Sequence, residues 1–220
     1  MLGLIYRNFS LNFFTPPKLI PKLFSNFIWK TSNNKILLTF DDGPTEEATL
    51  RILTILSANH IKAVFFCVGN NVKNRQALAE KILSDGHTIA NHTVNHKLLT
   101  KMNRKELISD ITAFNDLMRD KFNYDVKFFR PPYGMFNLRT NGILNELRIK
   151  CVMWNLLTYD YENNIEKVKY AIDNYLKKNS ILVFHDSIKC SDIIEEALNY
   201  TVEQANKRGL KFGEPEECLK

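Results

Sequence analysis

Short apolar runs alternate along this chain with stretches whose apolar residues recur every three or four positions. Lys35 to Phe40 (KILLTF) reads as a strand. Glu46 to Ala58 then places Ala48, Ile52, Ile55 and Leu56 on one helical face, with Thr45 as N-cap and two glutamates in the first turn to complement the macrodipole. Ala63 to Val68 (AVFFCV) predicts a second strand, followed by a helix near Arg75 to Ser84 and the short run His87 to Asn91. Asn103 and Glu106 predict a capping box that opens a helix carrying Leu107, Ile111, Phe114 and Met118 on one face. Further strands are expected at Val126 to Phe129, Lys150 to Trp154 and Ile181 to Phe184. Helices near Leu138 to Leu147, Ile165 to Leu176 and Asp192 to Lys207 follow them.

Strands separated by helices imply a parallel sheet. Six or seven such units in 220 residues predict one α/β domain, closed or nearly closed into a barrel rather than left as an open sheet. No internal repeat, low-complexity tract or linker interrupts it. The expected division is an arm over residues 1–34, whose stretch Phe13 to Trp29 packs aromatics onto the domain, and a main domain over residues 35–220.

Composition narrows this picture without deciding it. Hydrophobic residues make up 45% of the chain and charged residues 25%, ordinary for a soluble globular protein. The net charge of +6 suits a polyanionic surface such as a cell-wall polymer, and equally serves solubility alone. No run interleaves aromatics with Arg and Lys, so no nucleic-acid partner is expected. No apolar stretch approaches the roughly 18 residues of a membrane span. An h-region of about 7 apolar residues and a small-residue cleavage site are both missing, so no secretory signal is expected. The cytoplasm is the default location, with unconventional export to the cell envelope as the alternative. Cys67 and Cys151 lie in apolar runs as reduced core residues, and a Cys190–Cys218 bridge is left open.

Candidate chemistry gathers where the strand-like runs end, which is where a barrel of this kind keeps its site. Asp41 and Asp42 close KILLTF, and His92 and His96 follow Asn91. Arg130 follows Phe129, His185 follows Phe184, and Asp160 and Tyr161 precede the last strand. On a helical turn, two imidazoles four residues apart share one face and can share one metal. Two His and one carboxylate leave a coordination position open for water or substrate. Adjacent aspartates in extended chain point to opposite sides, so one can ligate while the other does something else. Each residue has an ordinary reading too. Asp, Gly and Pro are common at helix-entry turns, Arg130 alone suits a surface ion pair, and His185 alone suits a strand cap. Two carboxylates ending an apolar strand are harder to dismiss, because burying them without a cation is costly. Trp154 and Tyr161 offer flat rings to a pyranose face or to the core.

TFDDGP (Thr39 to Pro44), GHTIANHTVNH (Gly86 to His96), FRPPYG (Phe129 to Gly134) and ILVFHD (Ile181 to Asp186) together resemble the motifs of the polysaccharide deacetylase family, carbohydrate esterase family four. The likeness runs from about Lys35 to Lys207. It implies a single distorted, incomplete (β/α) barrel of seven strands, TIM-like in plan. It implies a divalent metal held by Asp42, His92 and His96, zinc by default, with Co2+, Ni2+ or Fe2+ fitting the same donors. Asp41 would be the general base toward a water made acidic by the metal, and the Tyr133 backbone N–H the oxyanion donor. His185 would protonate the leaving amine. Arg130 would hold Asp41 ionised, and Asp160 would hold His185 protonated. Pro132, Trp154, Tyr161 and Val183 are the substrate-binding candidates. The chain departs from the family pattern at Leu157, where an acidic residue is usual, at Tyr161, where Trp is usual, and at Val183, often Leu. These departures bear on the substrate rather than on the chemistry.

The partner implied is an N-acetylated amino sugar of peptidoglycan or a chitooligosaccharide, with acetate released. O-deacetylation of xylan needs the same site with less help from the acid. A catalytically silent carbohydrate-binding protein is the reading from another class, against which the complete constellation argues.

Overall fold

The computed structural model describes residues 13–220; residues 1–12 of the expected arm lie outside the described residues. The strands are β1 (Leu37–Asp41), β2 (Val64–Cys67), β3 (Thr88–Asn91), β4 (Phe128–Phe129), β5 (Lys150–Cys151), β6 (Leu156–Leu157) and β7 (Ile181–His185). They form one seven-stranded sheet in the order β5-β4-β3-β2-β1-β7-β6, every pair parallel. The helices are α1 (Leu19–Leu23), α2 (Glu46–Ala58), α3 (Gly69–Asn74), α4 (Gln76–Ser84), α5 (Arg104–Phe122), α6 (Leu138–Glu146), α7 (Ile165–Tyr175), α8 (Ile194–Lys207) and α9 (Pro215–Cys218).

The central strands are buried on both faces, which is why they read as unbroken apolar runs. Leu37, Val64, Phe66, Ala90, Phe128 and Ile181 cluster on one face of the sheet. Leu38, Phe40, Phe65, Ile89, Leu182 and Phe184 pack on the other, with the apolar stripes of the helices. The edges of the sheet, β5 and β6, are separated in sequence only by residues 152–155. Five residue steps reach at most about 18 Å, whereas six spacings of a flat sheet would part its edges by about 29 Å. The sheet therefore curls into an incomplete barrel with a seam between β5 and β6.

The arm dresses that seam. Ile28 bridges Val152 in parallel: its N–H donates to Cys151 O, and its carbonyl accepts from Met153 N–H, both at 2.8 Å. At the other edge Phe14 O accepts from Leu157 N–H at 2.8 Å. These bonds occupy backbone groups that edge strands would otherwise leave open. Ile20, Phe24, Phe27 and Trp29 bury against Phe129, Ile143, Cys151 and Met153.

Several local expectations change. β4 and β5 have two residues each, shorter than the runs Val126 to Phe129 and Lys150 to Trp154, because the chain beyond Cys151 leaves the ladder to cross the seam. β6 and α3 carry no periodic signal. α3 is held by tertiary bonds instead, from Gly69 N–H to Thr93 O and from Asn70 N–H to Val94 O. The Asn103–Glu106 capping box forms. Thr45 occupies the N-cap position of α2, but its hydroxyl is spent on Asp186 rather than on the helix. All four cysteines are buried free thiols, so Cys190 and Cys218 do not pair. Among the described residues no helix is long and apolar enough to cross a membrane.

Candidate active site

Strand register puts the chemistry at one level. Asp41 pairs with Phe66 on one side and His185 on the other, Cys67 with Asn91, and Asn91 with Phe129. His92 and Arg130 are thus the first residues beyond β3 and β4. In a flat sheet β4 would lie about 14 Å from β1. The curl removes that distance: Arg130 Nη1 donates to Asp41 Oδ1 at 2.7 Å and to Thr39 Oγ1 at 2.8 Å. Its Nε and Nη2 donate to Val152 O and Met153 O, each at 3.0 Å, and its guanidinium lies over the Phe66 ring. Arg130 is 0% exposed. Burial pulls its pKa down, opposed by Asp41. Three neutral acceptors and a carboxylate make so buried a charge tolerable.

Asp42 has a φ of 77°, so the chain has already left extended geometry. The alternation expected of adjacent aspartates therefore fails, and both carboxylates line the same cleft. Asn71 Nδ2 holds Asp42 O at 2.7 Å, and Asp186 N–H holds Asp41 O at 2.7 Å. Nor do His92 and His96 share a helical turn, since positive φ at Thr93 (69°) and His96 (52°) breaks it. Side chains fold this loop instead. Asn91 Oδ1 accepts from Thr93 N–H at 2.7 Å, Thr93 Oγ1 from His96 N–H at 2.9 Å, and Asp110 Oδ1 from Val94 N–H at 2.8 Å.

The two imidazoles end 5.0 Å apart, centroid to centroid. One ligand atom from each of Asp42, His92 and His96 lies within 4.8 Å of the others. His92 Nδ1 sits 2.8 Å from Arg130 O, which directs Nε2 toward Asp42 Oδ1 at 3.6 Å. His96 Nε2 is 3.1 Å from the same oxygen. Burial lowers the His92 pKa, favouring the neutral imidazole that can ligate. Burial opposes ionisation of Asp42, but the His96 hydrogen bond and the charges of His92 and His185 hold it below the usual carboxylate range. Two imidazoles, one carboxylate and a tautomer fixed by a backbone carbonyl fit a divalent cation.

On the opposite flank His185 Nδ1–H donates to Asp160 Oδ1 at 2.8 Å, and the His185 backbone N–H to Oδ2 at 2.6 Å. Thr158 Oγ1 donates to Val183 O at 2.7 Å and lies 3.1 Å from Asp160 Oδ1. Burial disfavours the imidazolium, yet Asp160, helped by Asp41 and Asp42, raises the His185 pKa to about 9. With Nδ1 committed, Nε2 is the nitrogen left to donate. Asp186 is fully buried and accepts from Thr45 Oγ1 at 3.0 Å and Thr49 Oγ1 at 2.6 Å; burial pushes it up to about 7. It supports the turn, and a Cβ on Gly43 would collide with its carboxylate.

These groups open onto a cleft of about 390 Å³, lined by Tyr133, Trp154, Tyr161 and Val183 besides the two aspartates and three histidines. Arg130 and Asp160 lie behind its wall. Pro132 is buried and is not among the residues that line the cleft. The Tyr133 ring is 65% exposed and meets His96 at 4.6 Å. Leu157 does line the cleft, together with Gly134 and Lys189, which sequence reasoning did not single out. The Gly134 signal was the last letter of FRPPYG: its φ is 64°, and a Cβ there would run into the Trp154 ring. Nothing in the sequence separates Lys189 from a surface lysine.

Comparisons with known proteins agree with this geometry. The family described as polysaccharide deacetylase matches residues 29–152. Peptidoglycan-N-acetylglucosamine deacetylase PgdA of Listeria monocytogenes serotype 1/2a (strain 10403S) is 28% identical over 182 residues, covering 82% of this chain but only 38% of that protein. The chain thus spans well under half the length of that relative. A solved peptidoglycan N-acetylglucosamine deacetylase in complex with 4-naphthalen-1-yl-N-oxidanyl-benzamide superposes with a TM-score of 0.85 at 25% identity, over 93% of this chain and 97% of that one. A CE4 family pseudoenzyme from Bacillus anthracis superposes with a TM-score of 0.79 at 21% identity, over 88% and 68%, so the fold alone does not decide activity. This chain belongs to the polysaccharide deacetylase family.

Proposed function

We propose that the protein is a metal-dependent hydrolase that removes acetyl groups from N-acetylated amino sugars, those of peptidoglycan first and chitooligosaccharides second. The observation that carries this reading is the meeting, in one cleft, of the Asp42–His92–His96 donor set with Asp41 on one flank and a protonated His185 on the other. When bound, a divalent cation, zinc by default, supplies Lewis-acid chemistry, bringing the pKa of water from 15.7 toward roughly 7 and polarising the amide carbonyl. Asp41 has Oδ1 committed to Arg130, so Oδ2 is the oxygen that takes the proton of the attacking water. The Tyr133 backbone N–H donates to the carbonyl oxygen as charge develops there, a contact typically worth about 3 kcal/mol. The proton on His185 Nε2 goes to the amine nitrogen, which leaves poorly without it. Val183 and Leu157 line the cleft with His185 and suit an acetyl methyl, while Trp154 and Tyr161 offer ring faces to the sugar. Arg130 and Asp160 act through Asp41 and His185 as positioning residues. In this reading residues 35–220 carry the chemistry, and the described part of the arm, residues 13–34, supports the seam. Peptidoglycan lies outside the cytoplasm, so the reading requires export or a soluble precursor as substrate.

The test is acetate release from peptidoglycan fragments, chitooligosaccharides and acetylated xylan by the metal-loaded protein. Acetate from the N-acetylated substrates supports the proposal, and acetate from xylan alone moves it to O-deacetylation. No acetate from any substrate, with the cation bound, leaves a silent carbohydrate-binding protein.

A further inference from the structure

A strongly basic groove of about 700 Å³ lies on the arm side of the molecule. Lys18, Lys22, Lys30, Lys177 and Lys220 line it, and no Asp or Glu does. Among the described residues none of these five ammonium groups forms an ion pair with a carboxylate. Five uncompensated positive charges therefore share one groove, which favours an anionic ligand. Pro16, Phe27, Ile28 and Trp29 also line the groove.

The groove neighbours the catalytic cleft. Pro16 and Trp29 also line a small pocket together with Tyr133, Gly134 and Trp154. Those last three residues line the cleft itself. Trp29 and Trp154 thus stand between the lysines and the cation donors.

We propose that the lysine groove is a distal subsite for the anionic stretch of a polysaccharide whose N-acetylated sugar occupies the cleft. The inference rests on the deacetylase reading and adds to it a substrate class: long glycan chains bearing carboxylates rather than neutral oligosaccharides. A groove beside the site suits a polymer long enough to reach both. A short neutral oligomer fills the cleft and never reaches the lysines.

The experiment compares the full chain with the variant Lys18→Glu/Lys22→Glu/Lys30→Glu, using soluble peptidoglycan glycan strands with free carboxylates and neutral chitotetraose as probes. For the strands, kcat/KM is expected to fall about tenfold through KM and to lose its salt sensitivity. Chitotetraose kinetics stay unchanged. Strand affinity is measured separately in the Asp41→Asn background by tryptophan fluorescence, because Trp29 and Trp154, both tryptophans of the chain, line the groove and the cleft respectively. This readout needs no turnover: absence of acetate defeats the deacetylase reading, while unchanged strand affinity defeats the groove. An equal loss on chitotetraose also overturns the proposal. So does retained strand affinity with lost binding to phosphatidylglycerol vesicles, which would assign the lysines, with exposed Leu19 and Leu23, to a membrane. If the charge reversal does not fold, Lys18→Gln/Lys22→Gln/Lys30→Gln serves with the same outcomes.

Discussion

The two flanks of the cleft are built by opposite means. On the cation flank, Asp42, His92, His96 and Tyr133 sit on loops, and Asp42, Thr93, His96 and Tyr133 all have positive φ. Each such conformation costs a non-glycine residue on the order of 1–3 kcal/mol and persists only where its surroundings over-determine it. On the proton flank, Asp41 and His185 end regular strands, and their partners Arg130 and Asp160 are fully buried. One flank is held by strained backbone and short side-chain bonds, the other by buried charge pairs. Damage to the first should cost function with little cost in folding. Damage to the second should cost both.

The largest effect is expected from His92→Ala, which loses cation retention and drops acetate release to background. Metal content after desalting checks it, and full activity of the metal-stripped variant would break the cation reading. Next comes Asp41→Asn, which cuts turnover by about 10²–10⁴-fold while the cation still binds. Loss of the cation in that variant would exchange the roles of Asp41 and Asp42. Asp41→Ala sharpens the contrast between the flanks, because it strands a buried guanidinium at a cost of about 3–5 kcal/mol, readable by urea unfolding.

A smaller effect is expected in the pH profile. The His185 pKa is raised from 6.5 to about 9, so the charged pair with Asp160 contributes its full stability below 6.5 and loses it as pH rises through 9. The basic limb of acetate release falls in the same window. Asp160→Asn removes the main upward pull and leaves only the weaker help of Asp41 and Asp42 against burial, so that limb moves to lower pH; an unmoved limb would take the acid role from His185. Smallest is Gly134→Ala, which displaces Trp154 and raises KM with kcat and cation content unchanged.

Legibility in the sequence follows the same division. β1 and β2 are buried throughout and β7 up to His185, and the hydrophobicity of these runs of four or five residues alone announces them. β4, β5 and β6 have two residues each; the runs Val126 to Phe129 and Lys150 to Trp154 mark the first two, whereas β6 is too short to carry any period. The motifs named the cleft's principal residues, but the way His92 and His96 meet was misread as a helical turn. A positive φ at Thr93, a β-branched residue, is set by Asn91 and has no signature of its own. The basic groove was invisible for another reason: its lysines come from positions 18 to 220 and converge only when the arm docks.

Arg130 grips the seam by Val152 O and Met153 O with two nitrogens, and Asp41 with the third. The side chain that closes the barrel's open edge is therefore the one that also fixes which oxygen of Asp41 faces the cleft. A molecule with that edge sprung would keep its helices and its three cation donors, pass for folded by circular dichroism, and turn over nothing.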